Sequence, residues 1–139
     1  MTQFRKMTVG ARMAELFKAE KVSVMFGPGD VSHVDVQKHA EREGLKIVGP
    51  RHEAAGGFMA DAYARMTGRV QVVTGAMGPG VANMLPAAVC AQSEHIPVVF
   101  LGAQRQGVID SAERRSRFLH ASFLEPFGKF CKYSAAIRH

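Results

Sequence analysis

Three turns in this 139-residue chain hold the residue types that could do chemistry. Residues 27–30 contain two glycines and an aspartate, Glu53 opens a helical pattern, and residues 75–83 combine three glycines with Asn83. Each turn follows a short apolar run that is typical of a buried strand. Because ligands bind outside the carboxyl ends of the strands in an open α/β sheet, three such turns predict a binding site at one sheet edge.

The glycines of the third turn first suggest a nucleotide. Gly78-Pro79-Gly80 has Asn83 where a dinucleotide fingerprint needs its third glycine, and no Gly-Lys-Ser/Thr follows as in a phosphate loop. Helix N-termini can still bind anions, so phosphate binding stays an alternative at this point.

The acidic and basic side chains also have plain structural explanations. An acid such as Glu53 is favoured in the first turn of a helix by the helix dipole. His52 is typical of a hydrogen-bonded structural histidine, and we expect Asp61 to face solvent or to pair with Arg65 four residues later. Neither a Ser-His-Asp order nor a metal-ligand cluster stands out.

Hydrophobic periodicity predicts alternating strands and helices. The predicted strands cover residues 22–26, 46–49, 70–74 and 97–101. The predicted helices cover residues 9–20, 34–43, 53–67 and 81–92. Thr8 suits an N-cap, Gly44 and Gly68 suit helix ends, and Pro86 fits only a bend or a first turn. We expect residues 103–117 to form a polar loop and residues 130–133 to form a last strand.

This alternation predicts an α/β fold with three layers, an open and mostly parallel sheet carrying helices on both faces. The continuous apolar run of residues 98–101 suits a parallel strand buried on both sides. Three sets of apolar residues are predicted to face the core: Val9, Met13, Leu16 and Phe17 in the first helix; Ala55, Met59, Ala62 and Met66 in the third; and the methionines Met66, Met77 and Met84.

Composition narrows the class of protein. The net charge of +6 comes from scattered basic residues with one dense cluster, Arg114-Arg115-Ser116-Arg117, and without aromatic partners, so we expect no nucleic-acid binding. Cys90 and Cys131 form neither a metal spacing nor a disulfide framework. No apolar run approaches the roughly 20 residues of a membrane helix, and the first six residues lack a signal-peptide core, which favours a cytoplasmic location and no membrane partner.

Three motifs lie in the segment from Arg51 to Asn83. They are Arg51-His52-Glu53-Ala54-Ala55, then Phe58-Met59-Ala60-Asp61-Ala62-Tyr63-Ala64-Arg65-Met66-Thr67-Gly68, and then Gly78-Pro79-Gly80-Val81-Ala82-Asn83. With these motifs, the segment resembles the N-terminal, pyrimidine-binding domain of thiamine-diphosphate enzymes of the acetolactate-synthase type. The resemblance extends over about the whole chain, as one domain of residues 1–139.

The resemblance implies a role for each matching position. Glu53 would activate the cofactor by hydrogen bonding the pyrimidine ring nitrogen N1′. Pro79 and Asn83 would line that ring, and Gly29 would lie in the loop above it. Gln104, and with it His52, would lie on the substrate side. The implied substrates are 2-oxo acids or aldehydes, in a carboligase or decarboxylase.

The family also implies parts that this chain lacks. A second domain holds Mg²⁺ and the diphosphate through a Gly-Asp-Gly…Asn motif, and no Gly-Asp-Gly occurs here. The implied partner is therefore a diphosphate-binding domain of the same or another chain, in a homodimer or homotetramer. Some relatives use FAD, which would bind elsewhere. The alternative is a non-catalytic scaffold or regulatory subunit.

Two stretches depart from the family pattern. The first turn reads Phe26-Gly27-Pro28-Gly29, one residue shorter than the family's Phe-Gly-x-Pro-Gly. Arg115-Ser116-Arg117 stands where acetolactate synthases have Phe-Gln-Glu. The second departure predicts a more cationic substrate side, which suits an anionic substrate.

Overall fold

In the part of the chain that the structure describes, four parallel strands form one sheet in the spatial order β2-β1-β3-β4. The computed structural model describes residues 6–104 and 122–137. Its strands are β1 (Val24–Phe26), β2 (Lys46–Val48), β3 (Gln71–Gly75) and β4 (Val98–Gly102). Its helices are α1 (Val9–Ala19), α2 (Val34–Arg42), α3 (Glu53–Thr67), α4 (Pro79–Asn83), α5 (Leu85–Ser93) and α6 (Leu124–Phe130). The predicted parallel α/β architecture is confirmed.

The helix ends follow local sequence signals. Thr8 caps α1, since its hydroxyl oxygen accepts a hydrogen bond from the Ala11 N–H at 3.1 Å. Gly68 follows α3 with φ +64°, and Gly44 follows α2 with φ +93°. These are left-handed conformations that glycine adopts without steric cost, so both helices stop where the sequence predicts.

Strand side chains alternate between two cores, one on each face of the sheet. Met25 and Val72 point to the face covered by α1 and α2, where Phe17 and Val36 also pack. The second core, under α3, α5 and α6, contains Val24, Phe26, Val73, Ala60, Met84, Ala88 and Phe127. Helices therefore cover both faces, as the sequence predicts.

The predicted apolar stripe of α3 is wrong. Its buried residues are Gly56, Gly57, Ala60, Asp61 and Ala64. The predicted set, Ala55, Met59, Ala62 and Met66, is exposed, with Met66 at 87%. Close packing explains the difference, because a Cβ atom placed on Gly57 would lie 2.5 Å from the Ala87 Cβ. Small residues face the core there, and the large apolar ones face outward.

Two other burial predictions also fail in part. In α1, Phe17 is buried and Met13 packs against the core, but Val9 and Leu16 are nearly half exposed. In β4, which is the last strand on its side of the sheet among the described residues, Val99 is 37% exposed rather than buried on both sides. Among the predicted core methionines, Met84 is fully buried and Met77 is partly exposed.

The predicted helix over residues 81–92 is two helices. α4 ends at Asn83 and α5 begins at Leu85, so that Pro86 occupies the first turn of a new helix, where its missing N–H costs nothing. The predicted strand at residues 130–133 is wrong, since α6 runs to Phe130 and no strand follows in residues 131–137. Of the predicted loop over residues 103–117, only Ala103 and Gln104 are among the described residues.

Candidate functional site

The order of the strands creates a crevice between the carboxyl ends of β1 and β3. The chain leaves β1 toward β2 on one side, then crosses through α3 to β3 on the other side. Such a switch point leaves a gap where ligands bind in open α/β sheets. The chain after β1 runs close against β3, because a Cβ atom on Gly27 would overlap the Thr74 hydroxyl.

Glu53 lies at this crevice as the first residue of α3. Its side chain is half-buried, and its Oε2 accepts a hydrogen bond from Asn83 Nδ2 at 3.1 Å. The two residues are 30 positions apart and belong to different helices. The helix dipole accounts for an acid at the start of α3, but not for this contact with α4.

The other oxygen of the carboxyl group lies over Gly80. A Cβ atom placed on Gly80 would be 2.5 Å from Glu53 Oε1 and 2.9 Å from the Ala76 Cβ. Any side chain at position 80 would therefore displace the carboxyl group. Gly80 belongs to the motif of residues 78–83, but its role in leaving room for Glu53 is visible only in the structure.

Local backbone geometry brings α4 to this position. Gly78 has φ +69°, a value that favours glycine, and Pro79 occupies the first turn of α4, where proline is well tolerated. The Gly80 carbonyl group packs closely against Gly75. A Cβ atom placed on Gly75 would lie 2.8 Å from the Gly80 carbonyl oxygen. The glycines thus let α4 fold back over the end of β3.

The other predicted site residues lie at the same edge without all meeting Glu53. His52 is the N-cap of α3, and its Nδ1 accepts a hydrogen bond from the Ala54 N–H at 3.2 Å, which is a structural role. Pro79 is exposed at the start of α4. Gly29 is exposed after β1, with open space where its Cβ would be, and Gln104 is exposed two residues beyond β4.

Asp61 and His33 are buried polar side chains near this framework. Asp61 accepts two hydrogen bonds from Arg65, at 2.7 and 3.3 Å, which confirms the predicted pairing but from a buried position. That pairing raises the pKa of Arg65.

His33 precedes α2 and is 4% exposed. Burial lowers the pKa of His33, and this effect is opposed by the charge of Asp30 and by a hydrogen bond with the Leu101 backbone. No pattern of residue types or spacing singles out His33 as a functional residue.

Within residues 6–104 and 122–137, no three His, Cys, Asp or Glu side chains converge in a way that could hold a metal ion. The same part of the chain contains no helix long and apolar enough to cross a membrane. Cys90 and Cys131 are free thiols, as expected, and burial raises the pKa of Cys131.

Comparisons with known proteins agree with this geometry. Residues 7–117 match the family "Thiamine pyrophosphate enzyme, N-terminal TPP binding domain". The chain is 32% identical over 130 residues to 2-hydroxyacyl-CoA lyase 2 of Xenopus laevis, covering 92% of this chain and 19% of that protein. It is 30% identical over 135 residues to sulfoacetaldehyde acetyltransferase of Castellaniella defragrans, covering 97% and 22%.

A shorter match and a solved structure add to these relatives. The acetolactate synthase large subunit of Parasynechococcus marenigrum (strain WH8102) is 38% identical over 98 residues, covering 68% of this chain and 16% of that protein. A Mycobacterium smegmatis structure, provisionally identified as a thiamin diphosphate-dependent enzyme, superposes with a TM-score of 0.80 at 18% identity, covering 94% of this chain and 25% of that one. The chain spans about a fifth of the length of the curated relatives it matches. With its parallel sheet, its crevice and the match over residues 7–117, the chain belongs to the family of N-terminal TPP-binding domains of thiamine pyrophosphate enzymes.

Proposed function

We propose that this chain is the pyrimidine-binding part of a thiamine-diphosphate-dependent carboligase or decarboxylase that acts on 2-oxo acids, in the manner of acetolactate synthase. In this proposal Glu53 is the acid that activates the cofactor. The observation that carries it is the Glu53 carboxyl group at the β1–β3 crevice, held through Oε2 by Asn83.

The residues at the crevice fit an aminopyrimidine ring. Glu53 Oε2 is engaged by Asn83, while Oε1 lies beside Gly80, where the absence of a side chain leaves room for the carboxyl group. Pro79, Asn83 and Gly29 would line the ring. Together they offer one carboxyl group and otherwise uncharged surface, which suits a neutral heterocycle with a basic nitrogen.

When bound, thiamine diphosphate supplies a thiazolium carbon that becomes a nucleophile after it loses its proton. Glu53 would hold and exchange a proton at ring nitrogen N1′, as a general acid and base. Asn83 would keep the carboxyl group oriented toward the ring. His52 and Gln104 would lie on the substrate side. The structure favours a helix-capping role for His52, because its Nδ1 accepts a hydrogen bond from the Ala54 N–H.

We infer that Mg²⁺ and the diphosphate are held by a domain other than this one. The length of the relatives supports this inference. The curated relatives are about five times longer than the part that this chain matches, which leaves room for a diphosphate-binding domain.

The outward face of α3 supports a partner at this site. It exposes four large apolar side chains, with 44% exposure at Phe58 and Met59, 39% at Tyr63 and 87% at Met66. Such a patch on a helix is typical of a protein interface. Because Glu53 begins the same helix, a subunit or domain on this face would cover the crevice, as in a homodimer or homotetramer.

The proposed 2-oxo acid substrate rests on the relatives and on charge. Acetolactate synthase is among the relatives, and the chain carries a net charge of +6, which suits an anionic carboxylate. The Arg115-Ser116-Arg117 stretch, which predicts a cationic substrate side, lies outside the described residues. Two other relatives are a 2-hydroxyacyl-CoA lyase and a sulfoacetaldehyde acetyltransferase. Acyl-CoA and aldehyde substrates are therefore the alternatives to assay.

The variant Glu53→Gln tests the proposal, because glutamine keeps the shape but cannot exchange a proton. We expect kcat with a 2-oxo acid to fall by about 10²–10⁴-fold, the usual contribution of a general acid or base. The assay uses this chain together with its diphosphate-binding domain.

Glu41→Gln is the matched control, since Glu41 is exposed on α2, away from the crevice. It should leave turnover unchanged. Near-normal turnover of Glu53→Gln would contradict the proposal, and a stable complex whose activity ignores Glu53 would favour a scaffold or regulatory subunit.

A further inference from the structure

We propose that Asn83 is a positioning residue that determines which oxygen of Glu53 carries the exchangeable proton, and that Gly80 keeps that oxygen in place. This inference rests on the proposed function of Glu53. It adds an atom-level assignment, in which Oε2 accepts from Asn83 and Oε1 exchanges the proton with the ligand.

The assignment follows from the inventory of donors and acceptors. The Asn83 amide nitrogen is 3.1 Å from Glu53 Oε2 and can only donate. An oxygen that accepts this bond cannot also point a proton at the same nitrogen. Because a carbonyl oxygen accepts a hydrogen bond better than a hydroxyl oxygen does, the bond from Asn83 favours the form of the protonated carboxyl group that has its proton on Oε1.

The opposite orientation of the Asn83 amide is incompatible with an ionised Glu53. If the Asn83 carbonyl oxygen faced Glu53, two hydrogen-bond acceptors would meet without a proton between them whenever the Glu53 carboxyl group lost its proton. The NH₂ orientation suits both states, because Oε2 accepts a hydrogen bond from it whether or not Oε1 carries a proton. Asn83 can thus stay fixed while Glu53 gains and loses a proton.

Gly80 determines the place of the other oxygen. A Cβ atom there would be 2.5 Å from Oε1 and 3.2 Å from the carboxyl carbon of Glu53. It would also lie 2.9 Å from the Ala76 Cβ, so the methyl group could not move aside without displacing backbone. An alanine at position 80 would turn the carboxyl group and break its alignment with Asn83.

Among residues 6–104 and 122–137, few other titratable groups face Glu53. The elements packed against α3 include β1, β3, β4 and α4, which carry no titratable side chain, and α5, which carries only the thiol of Cys90. Within α3, Asp61 is two turns away and bound to Arg65. His52 is exposed beside Glu53, with Nδ1 turned to the Ala54 N–H, and Arg51 is exposed. A carboxylate introduced at position 83 would therefore interact chiefly with Glu53.

Two substitutions of nearly the same shape test the inference in the enzyme assembled with its diphosphate-binding domain. Asn83→Leu removes the donor, and we expect kcat to fall about tenfold or more, the usual effect of losing a hydrogen bond to a charged group. Asn83→Asp places two carboxyl groups side by side, which cannot both ionise cheaply. At low pH a shared proton restores a donor to Oε2, and at high pH the donor is lost.

The expected signature is a pH profile. Relative to wild type, the activity of Asn83→Asp should recover by about tenfold or more as the pH falls, while that of Asn83→Leu should show no such recovery. A merely structural role for Asn83 would not produce this difference. Parallel pH profiles for the two variants would overturn the inference, as would wild-type kcat in both.

Cofactor binding gives a readout that does not depend on turnover. By calorimetric titration with thiamine diphosphate and Mg²⁺, we expect Gly80→Ala and Asn83→Leu to weaken Kd by about tenfold or more, the effect of losing a hydrogen bond to a charged group. Unchanged Kd values in both variants would overturn the inference. If Glu53→Gln loses turnover but the Asn83 variants behave as wild type, only this inference fails. If Glu53→Gln keeps its turnover, the proposed function fails first.

Discussion

Glu53 satisfies two requirements with one side chain. As the first residue of α3 it places negative charge at the positive end of the helix dipole, which stabilises the helix. Through its hydrogen bond to Asn83 it also lies in the crevice between β1 and β3. The stabilising role could be predicted from Glu53 alone, whereas its partner could not.

We expect His33 to make the stability of the fold depend on pH. Burial lowers its pKa below the ordinary value of 6.5, so the native state keeps the ring neutral at pH values where the unfolded chain protonates it. As the pH falls below about 6.5, the unfolded state binds more protons and stability is lost. We expect the free energy of unfolding to drop less between pH 7 and pH 5 in His33→Gln than in wild type, measured by urea titration.

The control for that experiment is His95→Asn. His95 is exposed with φ +55°, a conformation that asparagine accepts, so its replacement should leave the pH dependence of stability unchanged. An equal slope in wild type and His33→Gln would show that another group carries the pH dependence.

At the scale of elements, the packing of α3 depends on small residues. A Cβ atom on Gly57 would lie 2.5 Å from the Ala87 Cβ of α5. Gly57→Ala should therefore force α3 and α5 apart and lower the free energy of unfolding by about 1–3 kcal/mol, the usual cost of overpacking. Urea denaturation measures this change.

Gly128→Ala in α6 is the matched control. The nearest atom to its new methyl group would be the Ser134 Cβ at 4.0 Å, an ordinary contact. Alanine should then raise stability by about 0.5–1 kcal/mol through its helix propensity. A Gly57→Ala variant that is stabilised like Gly128→Ala would show that α3 and α5 are not in close contact.

Sequence patterns predicted the elements better than their orientation. The bounds of α3 match the prediction because Glu53 and Gly68 are strong start and stop signals. The buried face of α3 does not match the prediction. The periodicity of the large apolar residues identified the outward face, whereas glycine and alanine residues face the sheet. The same limit applies to β4, whose apolar run does not reveal that it is the last described strand on its side of the sheet.

The candidate site was predictable in part for a related physical reason. Topology alone brings the turns after β1, β2 and β3 to one edge, and the family resemblance selects Glu53 and Asn83 within them. The contact between these two residues depends on how closely α4 folds over Gly75, which follows from backbone conformation at Gly78 and Gly80. The spacing of apolar residues along the chain does not predict these backbone conformations.

At the scale of the whole molecule, the proposed function places the exposed face of α3 and the crevice at Glu53 in one interface. A domain that matches about a fifth of its relatives' length presents, at one helix, both its acid and an apolar surface. Covering that surface would remove water from Glu53 and complete the cofactor site. This arrangement accounts for large apolar side chains on the outward side of α3.

A crystal structure of the chain with its diphosphate-binding domain and thiamine diphosphate tests the central proposal most directly. The quantity to measure is the distance from Glu53 Oε1 to the pyrimidine nitrogen N1′. We expect a hydrogen bond of about 2.5–3.2 Å between these two atoms, with Asn83 still bound to Oε2. A ring bound away from Glu53, or one that leaves its carboxyl group facing water, would contradict it.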